Sequence, residues 1–211
     1  MVPRKNILAL LDEGFEEIEF VVPVRLWRYA GQSVNLVSCS DSLTVCGSSG
    51  ITLLAEACLK DAEVSSDVLF LPGGDSCKRM KKNPVVLQKI RAYAEQGKLI
   101  AAICGAPLLL QETGLLAGRH YTAYRGKDFP GADYSKPVVL DGPILTGRDA
   151  GAAFVFALRL LQAIGFPLEA MEKNIKKLGL EEFWQQMKEE GKPNVCSGNG
   201  KGDAGEGMGV Q

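Results

Sequence analysis

The chain has 211 residues, a net charge of -1, and 46% hydrophobic against 23% charged residues. This balance is typical of a soluble globular domain and gives no electrostatic reason to expect a nucleic acid or an anionic membrane as a partner. No apolar run approaches the roughly 18 residues of a membrane span, and the first residues lack the apolar core of a signal peptide, so a cytoplasmic protein is predicted.

Short apolar runs recur along the chain and are separated by segments with helical periodicity. Runs of this kind indicate strands that are covered on both faces, and a pair of runs around a Gly-rich or Asp-Gly turn indicates a hairpin. The predicted strands are 6–11, 33–38, 67–71 and 99–103, and the predicted hairpins are 43–54 and 138–146.

Helices are predicted between these strands. Gly31 ends the first of them, and Asn83-Pro84 opens another with a cap residue followed by proline. The predicted helices are 16–30, 84–96, 107–113, 151–164 and 167–190. Strands that alternate with crossover helices predict an α/β sandwich with a mostly parallel, doubly wound sheet. Residues 1–190 are predicted to form this single domain, and the Gly-rich segment 191–211 is predicted to be disordered.

The six cysteines do not form a pattern that indicates disulfides or zinc. The chain has no CxxC pair, and His120 is its single histidine. No metal and no cofactor are predicted. Most of the cysteines are expected to be small buried apolar residues; they are Cys39, Cys46, Cys58, Cys77, Cys104 and Cys196.

Cys104 differs from the other cysteines in its local pattern. It stands between the apolar run 99–103 and a helix that starts at Pro107, with the small residues Gly105 and Ala106 beside it. This resembles a nucleophile elbow, and the N-terminus of the helix is expected to favour the thiolate. A buried core cysteine at the end of a strand is the alternative, and sequence chemistry alone leaves both open.

Two further segments follow strands that end at the same edge of the sheet. Gly73-Gly74 could present backbone N–H groups to an oxyanion beside Cys104, although such turns are common for steric reasons. Glu16 and Glu17 lie in the first turn of the predicted helix, where acidic residues are expected in any helix. Glu19 lies one turn further along. His120 is predicted at the start of a strand and is expected to be a surface residue rather than a partner of Cys104.

Together these segments resemble the ThiJ/PfpI superfamily, in particular its parkinsonism-associated protein deglycase branch. The resemblance covers about residues 5–165. The motifs that carry it are Gly14-Phe15-Glu16-Glu17-Ile18-Glu19, Leu71-Pro72-Gly73-Gly74, Ala101-Ala102-Ile103-Cys104-Gly105-Ala106-Pro107 and Ile144-Leu145-Thr146-Gly147-Arg148.

The resemblance implies a flavodoxin-like sandwich, a homodimer and a site built around a cysteine. It implies that Cys104 is the nucleophile and an oxidation-sensitive thiol, that Glu19 bonds to the sulfur and transfers protons, and that Gly74 and Gly105, with Gly73 next to them, form an anion pocket. Tyr124 and Arg148 are expected near this pocket. The implied substrates are α-oxoaldehydes such as methylglyoxal, or the glycation adducts that they form on proteins. A redox-sensing or chaperone role for the same cysteine is the alternative.

The chain also departs from the family pattern. Tyr124 stands where many relatives have a histidine, and Asp149-Ala150-Gly151 stands where they have Gly-Pro-Gly. Gly105 follows the nucleophile, whereas the protease-like members have a histidine there, which argues against a Cys-His peptidase. A class I glutamine amidotransferase would need a His-x-Glu pair, which His120-Tyr121-Thr122 does not supply.

Overall fold

A computed structural model describes residues 4–61, 66–126 and 128–190. Strands occupy β1 (Asn6–Leu11), β2 (Ser33–Ser38), β3 (Thr44–Cys46), β4 (Thr52–Leu54), β5 (Ala57–Cys58), β6 (Val68–Leu71), β7 (Leu99–Ile103), β8 (Val138–Asp141) and β9 (Ile144–Gly147). Helices occupy α1 (Glu17–Tyr29), α2 (Ser76–Met80), α3 (Pro84–Glu95), α4 (Pro107–Glu112), α5 (Ala153–Ala163), α6 (Glu172–Lys177) and α7 (Glu181–Glu190). Short 3₁₀ turns at Ala150–Ala152 and Leu168–Met171 precede α5 and α6.

The central sheet has seven strands in the order β5-β2-β1-β6-β7-β9-β8. All neighbouring strands run parallel except β8, which pairs antiparallel with β9. The strand order reverses direction next to β1, as in a doubly wound sheet, and the sites of such sheets lie beyond the carboxyl ends of the strands near that point. The predicted α/β sandwich with a mostly parallel sheet is confirmed.

The alternation of side chains along each strand divides the core into two layers. Ile7, Ala9 and Leu11 of β1 pack on one face with residues of α1, α5 and α7. Leu8 and Leu10 pack on the opposite face with residues of α2, α3 and α4. Both faces of the sheet are therefore buried, which is why the strands read as continuous apolar runs.

Three sequence predictions need correction. The last predicted helix, 167–190, is divided into a 3₁₀ turn, α6 and α7, because Gly179 takes a φ of 66° that ends the helical path. No strand starts at His120, since the backbone N–H groups of His120 and Thr122 donate to the side chains of Asp141 and Thr146 instead of a neighbouring strand. The short elements α2 and β5 were absent from the predictions.

Residues 191–211 lie outside the described residues, so the disordered tail stays a prediction. The same holds for any role of Cys196. Within the described ranges, none of the helices has the length and apolar character needed to cross a membrane.

Candidate active site

Cys104 occupies a sharp turn directly after β7. Its φ is 61°, a left-handed conformation that no other non-glycine residue adopts in the described part of the chain. The turn is held on both sides, since the Cys104 N–H donates to the carbonyl of Gly147 (2.8 Å) and its carbonyl accepts from the N–H of Tyr124 (2.8 Å). Such strain costs about 1–3 kcal/mol and persists where the surroundings enforce it. The predicted elbow is therefore present, and it leaves the side chain half-buried beside a cleft.

The three glutamates at the start of α1 have three different roles. Glu16 caps the helix, because its carboxylate accepts from the N–H of Glu19 (2.7 Å). Glu17 accepts from the hydroxyls of Ser48 (2.9 Å) and Ser49 (2.7 Å) and from the N–H of Ser49 (2.7 Å). The carboxyl of Glu19 takes part in neither set of contacts, and the residue is only 1% exposed. The sequence predicted acidic residues in this turn without separating these roles.

The carboxyl group of Glu19 lies against Cys104. A Cβ atom placed on Gly73 would overlap both the Glu19 carboxyl and the Cys104 Cβ, so these groups converge on one point. Cys104 and the amide of Gly73 are the hydrogen-bonding groups next to this carboxyl, yet Glu19 Oε2 forms no well-aligned hydrogen bond with any described residue. A buried carboxyl oxygen in this state is well placed to exchange a proton with the thiol or with a bound substrate.

The helix that carries Glu19 is fixed by the aromatic core beneath it. Phe20 stacks on Phe70 with ring centroids 5.9 Å apart, and Trp27 contacts Phe70 edge-on at 4.8 Å. The indole N–H of Trp27 also donates to the carbonyl of Ala157 (2.9 Å). These contacts hold α1 against β6 and α5, so the position of the Glu19 carboxyl is determined before any substrate binds.

The three glycines proposed for the anion pocket serve different purposes. Gly73 must lack a side chain, as shown above, and its amide faces Glu19 rather than open space. Gly74 has a φ of 96°, and a Cβ there would come within 2.6 Å of the Glu16 backbone nitrogen. Gly105 could carry a Cβ at ordinary contact distance, 3.5 Å from Cys77 Sγ. Gly74 and Gly105 line the cleft, whereas Gly73 supports its floor.

The pKa values of Glu19 and Cys104 differ from the sequence-based expectation. Burial raises the pKa of Glu19 to about 7, although its hydrogen bond with Cys104 acts in the opposite direction. Burial also raises the pKa of the Cys104 thiol, and the charge of Glu19 raises it further, while the amide of Gly105 opposes these effects. The expectation that the N-terminus of the helix favours the thiolate is wrong, because desolvation dominates and raises the thiol pKa. Protonation of Glu19 removes the part of this increase that comes from its charge, so the two groups titrate as a coupled pair.

The raised pKa of Glu19 predicts a dependence of stability on pH. Because the folded value is about 7 and the ordinary value is 4.5, the unfolded chain ionises first. The full stability is present below pH 4.5 and is lost as the pH rises through 7, by about 3 kcal/mol at 1.36 kcal/mol per pKa unit. Urea unfolding at pH 4.5 and pH 8 should show this loss in the wild type relative to Glu19→Gln. An equal change in both proteins would contradict the assignment.

A cleft of about 450 Å³ opens above Cys104. Tyr124, predicted near the pocket, lies on its wall with 56% of its surface exposed. Arg148 does not line this cleft: its side chain donates to Asp149 (2.8 Å) and to the carbonyl of Tyr134 (3.2 Å). The lining residues are Ser48, Gly74, Asp75, Cys77, Lys78, Cys104, Gly105, Leu108, Tyr124, Asp128 and Phe129.

Sequence reasoning missed several of these lining residues. Cys77 and Lys78 belong to the short α2, which immediately follows the Gly-Gly turn, and that position was the available signal. Ser48 comes from the tip of the β3–β4 hairpin, which nothing in the sequence places near Cys104. The tip is held there because Phe15 forms backbone bridges to both Gly47 and Gly74.

Histidine and metal chemistry find no support near Cys104. His120 is exposed and lines a different groove, with Asp133 and Lys136. Across residues 4–61, 66–126 and 128–190, no group of three or more His, Cys, Asp or Glu side chains could hold a metal ion. Among the described residues, the carboxyl that lies against the Cys104 side chain is that of Glu19.

The chain is similar to known proteins in both sequence and structure. The sequence model of the DJ-1/PfpI family matches residues 5–163. Protein dj-1beta of Drosophila melanogaster is 34% identical over 169 residues, which cover 76% of this chain and 89% of that protein. The crystal structure of Drosophila DJ-1beta superposes with a TM-score of 0.78 at 30% identity and covers 83% of this chain and 98% of its own.

Two other relatives bear functional names. The glutathione-independent glyoxalase DJR-1.2 of Caenorhabditis elegans is 30% identical over 180 residues, which cover 79% of this chain and 92% of that protein. The putative cysteine protease YraA of Bacillus subtilis is 33% identical over 150 residues, with 68% and 89% covered.

Proposed function

Since this chain belongs to the DJ-1/PfpI family, we propose that it is a cysteine-dependent glyoxalase that converts α-oxoaldehydes such as methylglyoxal to hydroxy acids without glutathione. The observation that carries the proposal is the buried Glu19 carboxyl against Cys104 at the floor of an open cleft. The family contains a relative named as a glutathione-independent glyoxalase. Protein deglycation, in which the aldehyde is removed from early glycation adducts, would use the same residues.

The first step is nucleophilic addition. The Glu19 carboxylate takes the proton of the Cys104 thiol as the sulfur attacks the aldehyde carbon and forms a C–S bond, and the proton then passes to the carbonyl oxygen, which gives a hemithioacetal. The amide of Gly105 already interacts with the sulfur and, with that of Gly74, is the proposed donor to the developing oxyanion. An adduct on a protein would first release its amine or thiol, which regenerates the aldehyde, and the aldehyde would then react in the same way.

The second step is an internal proton shift. The Glu19 carboxylate removes the proton from the carbon that carries the sulfur and returns it to the neighbouring carbon, while the hydroxyl proton of the first carbon moves to the ketone oxygen of the second, which leaves a thioester of lactate. Water then cleaves the thioester, releasing lactate and restoring the thiol. A carboxyl with a pKa of about 7 can both donate and accept protons at neutral pH.

A glutathione-free assay tests this function. The wild type should form lactate from methylglyoxal, and Glu19→Gln should form it about 10²–10⁴-fold more slowly, the usual contribution of a general acid/base. Glu17→Gln is a matched control because its carboxylate contacts Ser48 and Ser49 instead of the sulfur. Absence of lactate with the wild type, or equal rates for Glu19→Gln and Glu17→Gln, would contradict the proposal.

A peptidase is disfavoured although one relative is named a putative protease. Gly105 follows the nucleophile, and the exposed His120 lines another groove.

A redox-sensing role remains the second candidate. It is favoured by the opening of Cys104 to the cleft, whereas Cys58 is buried. Mass spectrometry after mild peroxide treatment should then find Cys104 more oxidised than Cys39 or Cys58.

We further propose that the protein forms a homodimer through α1 and the β3–β4 hairpin. These elements expose Ile18 (52%) and Leu54 (70%), together with Val21 and Ile51. Glu17 joins the two elements through Ser48 and Ser49, which places α1 next to the hairpin. Light scattering should give twice the monomer mass, and Leu54→Asp should lower it.

A further inference from the structure

We propose that Tyr124 makes the cleft selective for α-oxoaldehydes with an aromatic or bulky apolar substituent over methylglyoxal, an inference that rests on the proposed function. Tyr124 is thereby a specificity-determining residue for substrates of the phenylglyoxal class. Many relatives in the ThiJ/PfpI pattern have a histidine at this position, whereas this chain presents the phenol ring of a tyrosine to the cleft.

The size of the cleft is the first argument. Its volume is about 450 Å³, whereas the five heavy atoms of methylglyoxal fill only about 150 Å³ if each is counted generously as one water of ~30 Å³. Cleft volumes of several hundred Å³ are typical of sites for larger ligands. After the aldehyde carbon has reached Cys104, room for a substituent larger than methyl remains.

The chemistry of the wall is the second argument. The cleft lining contains the apolar or aromatic side chains Leu108, Tyr124 and Phe129 and the charged side chains Asp75, Lys78 and Asp128. Asp75 and Lys78 pair with each other (2.7 Å), which reduces their capacity to bind a charged ligand. An apolar substituent therefore has a matching surface, and an aromatic one can stack on or meet the edge of the Tyr124 ring.

The position of Tyr124 relative to the sulfur is the third argument. Its N–H donates to the carbonyl of Cys104 (2.8 Å), so the backbone from which the ring extends is anchored at the nucleophile. The Tyr134 hydroxyl lies within hydrogen-bonding distance of the carbonyls of Gly126 (2.8 Å) and Phe129 (3.1 Å), which restrains these two backbone positions. A preorganised wall beside the reacting atom loses little entropy on binding.

The test compares kcat/KM for phenylglyoxal and methylglyoxal in the wild type, Tyr124→Ala and Tyr124→Phe. We expect the wild type to favour phenylglyoxal about tenfold, Tyr124→Ala to bring the ratio close to one mainly by raising KM for phenylglyoxal, and Tyr124→Phe to retain the preference because the ring is kept. A wild-type ratio of one, or a ratio that Tyr124→Ala leaves unchanged, overturns the inference.

A second measurement separates this inference from the proposed function. Alkylation of Cys104 by 2-chloroacetophenone and by chloroacetone forms a thioether and releases chloride without needing turnover. Each rate is divided by that of free N-acetylcysteine. If the phenyl reagent is favoured in the wild type and not in Tyr124→Ala while neither aldehyde is turned over, the proposed function fails and the aromatic-selective cleft stands. Equal normalised rates in the wild type overturn the selectivity.

Discussion

Replacement of Cys104 by serine is expected to lower lactate formation from methylglyoxal at least about a thousandfold. Loss of a nucleophile removes the covalent step, and losses of 10⁴ or more are known for enzymes whose nucleophile acts with a partner group. Serine has nearly the same shape, so the turn with a φ of 61° and the hydrogen bonds to Gly147 and Tyr124 should be retained. The measurement is the initial rate of lactate formation without glutathione.

Cys46→Ser is the matched control for this variant. Cys46 is also half-buried and free, but it lies on β3 and does not line the cleft. We expect its rate to stay within about twofold of the wild type. Equal rates for Cys104→Ser and the wild type would show that the lactate arises without this thiol and would remove the basis of the mechanism.

Gly73→Ala is expected to damage stability and activity together. The added methyl group would overlap the Glu19 carboxyl, come within 2.7 Å of Cys104 Cβ and lie 3.0 Å from the carbonyl of Ile103. Overpacking of this kind typically costs 1–3 kcal/mol, so a loss of about 2 kcal/mol in the free energy of unfolding is expected. Displacement of reacting groups by about 1 Å can lower the rate about a hundredfold.

Gly126→Ala provides the control because no heavy atom lies within 4 Å of the position where its Cβ would be. Its φ is also outside the left-handed region. Urea unfolding and the lactate assay should find this variant close to the wild type. If Gly73→Ala is equally stable and active, the close approach of Glu19 and Cys104 is wrong.

The sequence predicted the framework of the fold because the buried strands have an unambiguous pattern. The run 99–103 and residues 7–11 of the run 6–11 are apolar at every position, which fits a sheet that helices cover on both sides. The same logic located Cys104 after β7. It could not reveal the short α2, whose five residues provide too little periodicity, or the two-residue β5.

The site residues were predictable to different degrees. Cys104 and Glu19 could be paired from their motifs, yet the burial of Glu19 depends on contacts of α1 with β6 and α5, which a local pattern does not contain. Arg148 was placed near the pocket by resemblance, but Asp149, the next residue, binds its guanidinium. The direction of the thiol pKa was wrong because desolvation is a property of the folded surroundings.

The two backbone bridges of Phe15, to Gly47 on one side and Gly74 on the other, limit how this scaffold can be altered. A surface hairpin is ordinarily the region in which insertions are tolerated and new loops are grafted. Here Phe15 bridges the hairpin tip and the turn beside the nucleophile. Glu17 forms a further hydrogen bond with the hairpin tip. A change of hairpin length would consequently displace the residues at the floor of the cleft. Sequence variation in engineered libraries should therefore be placed on the side of the cleft that carries Tyr124.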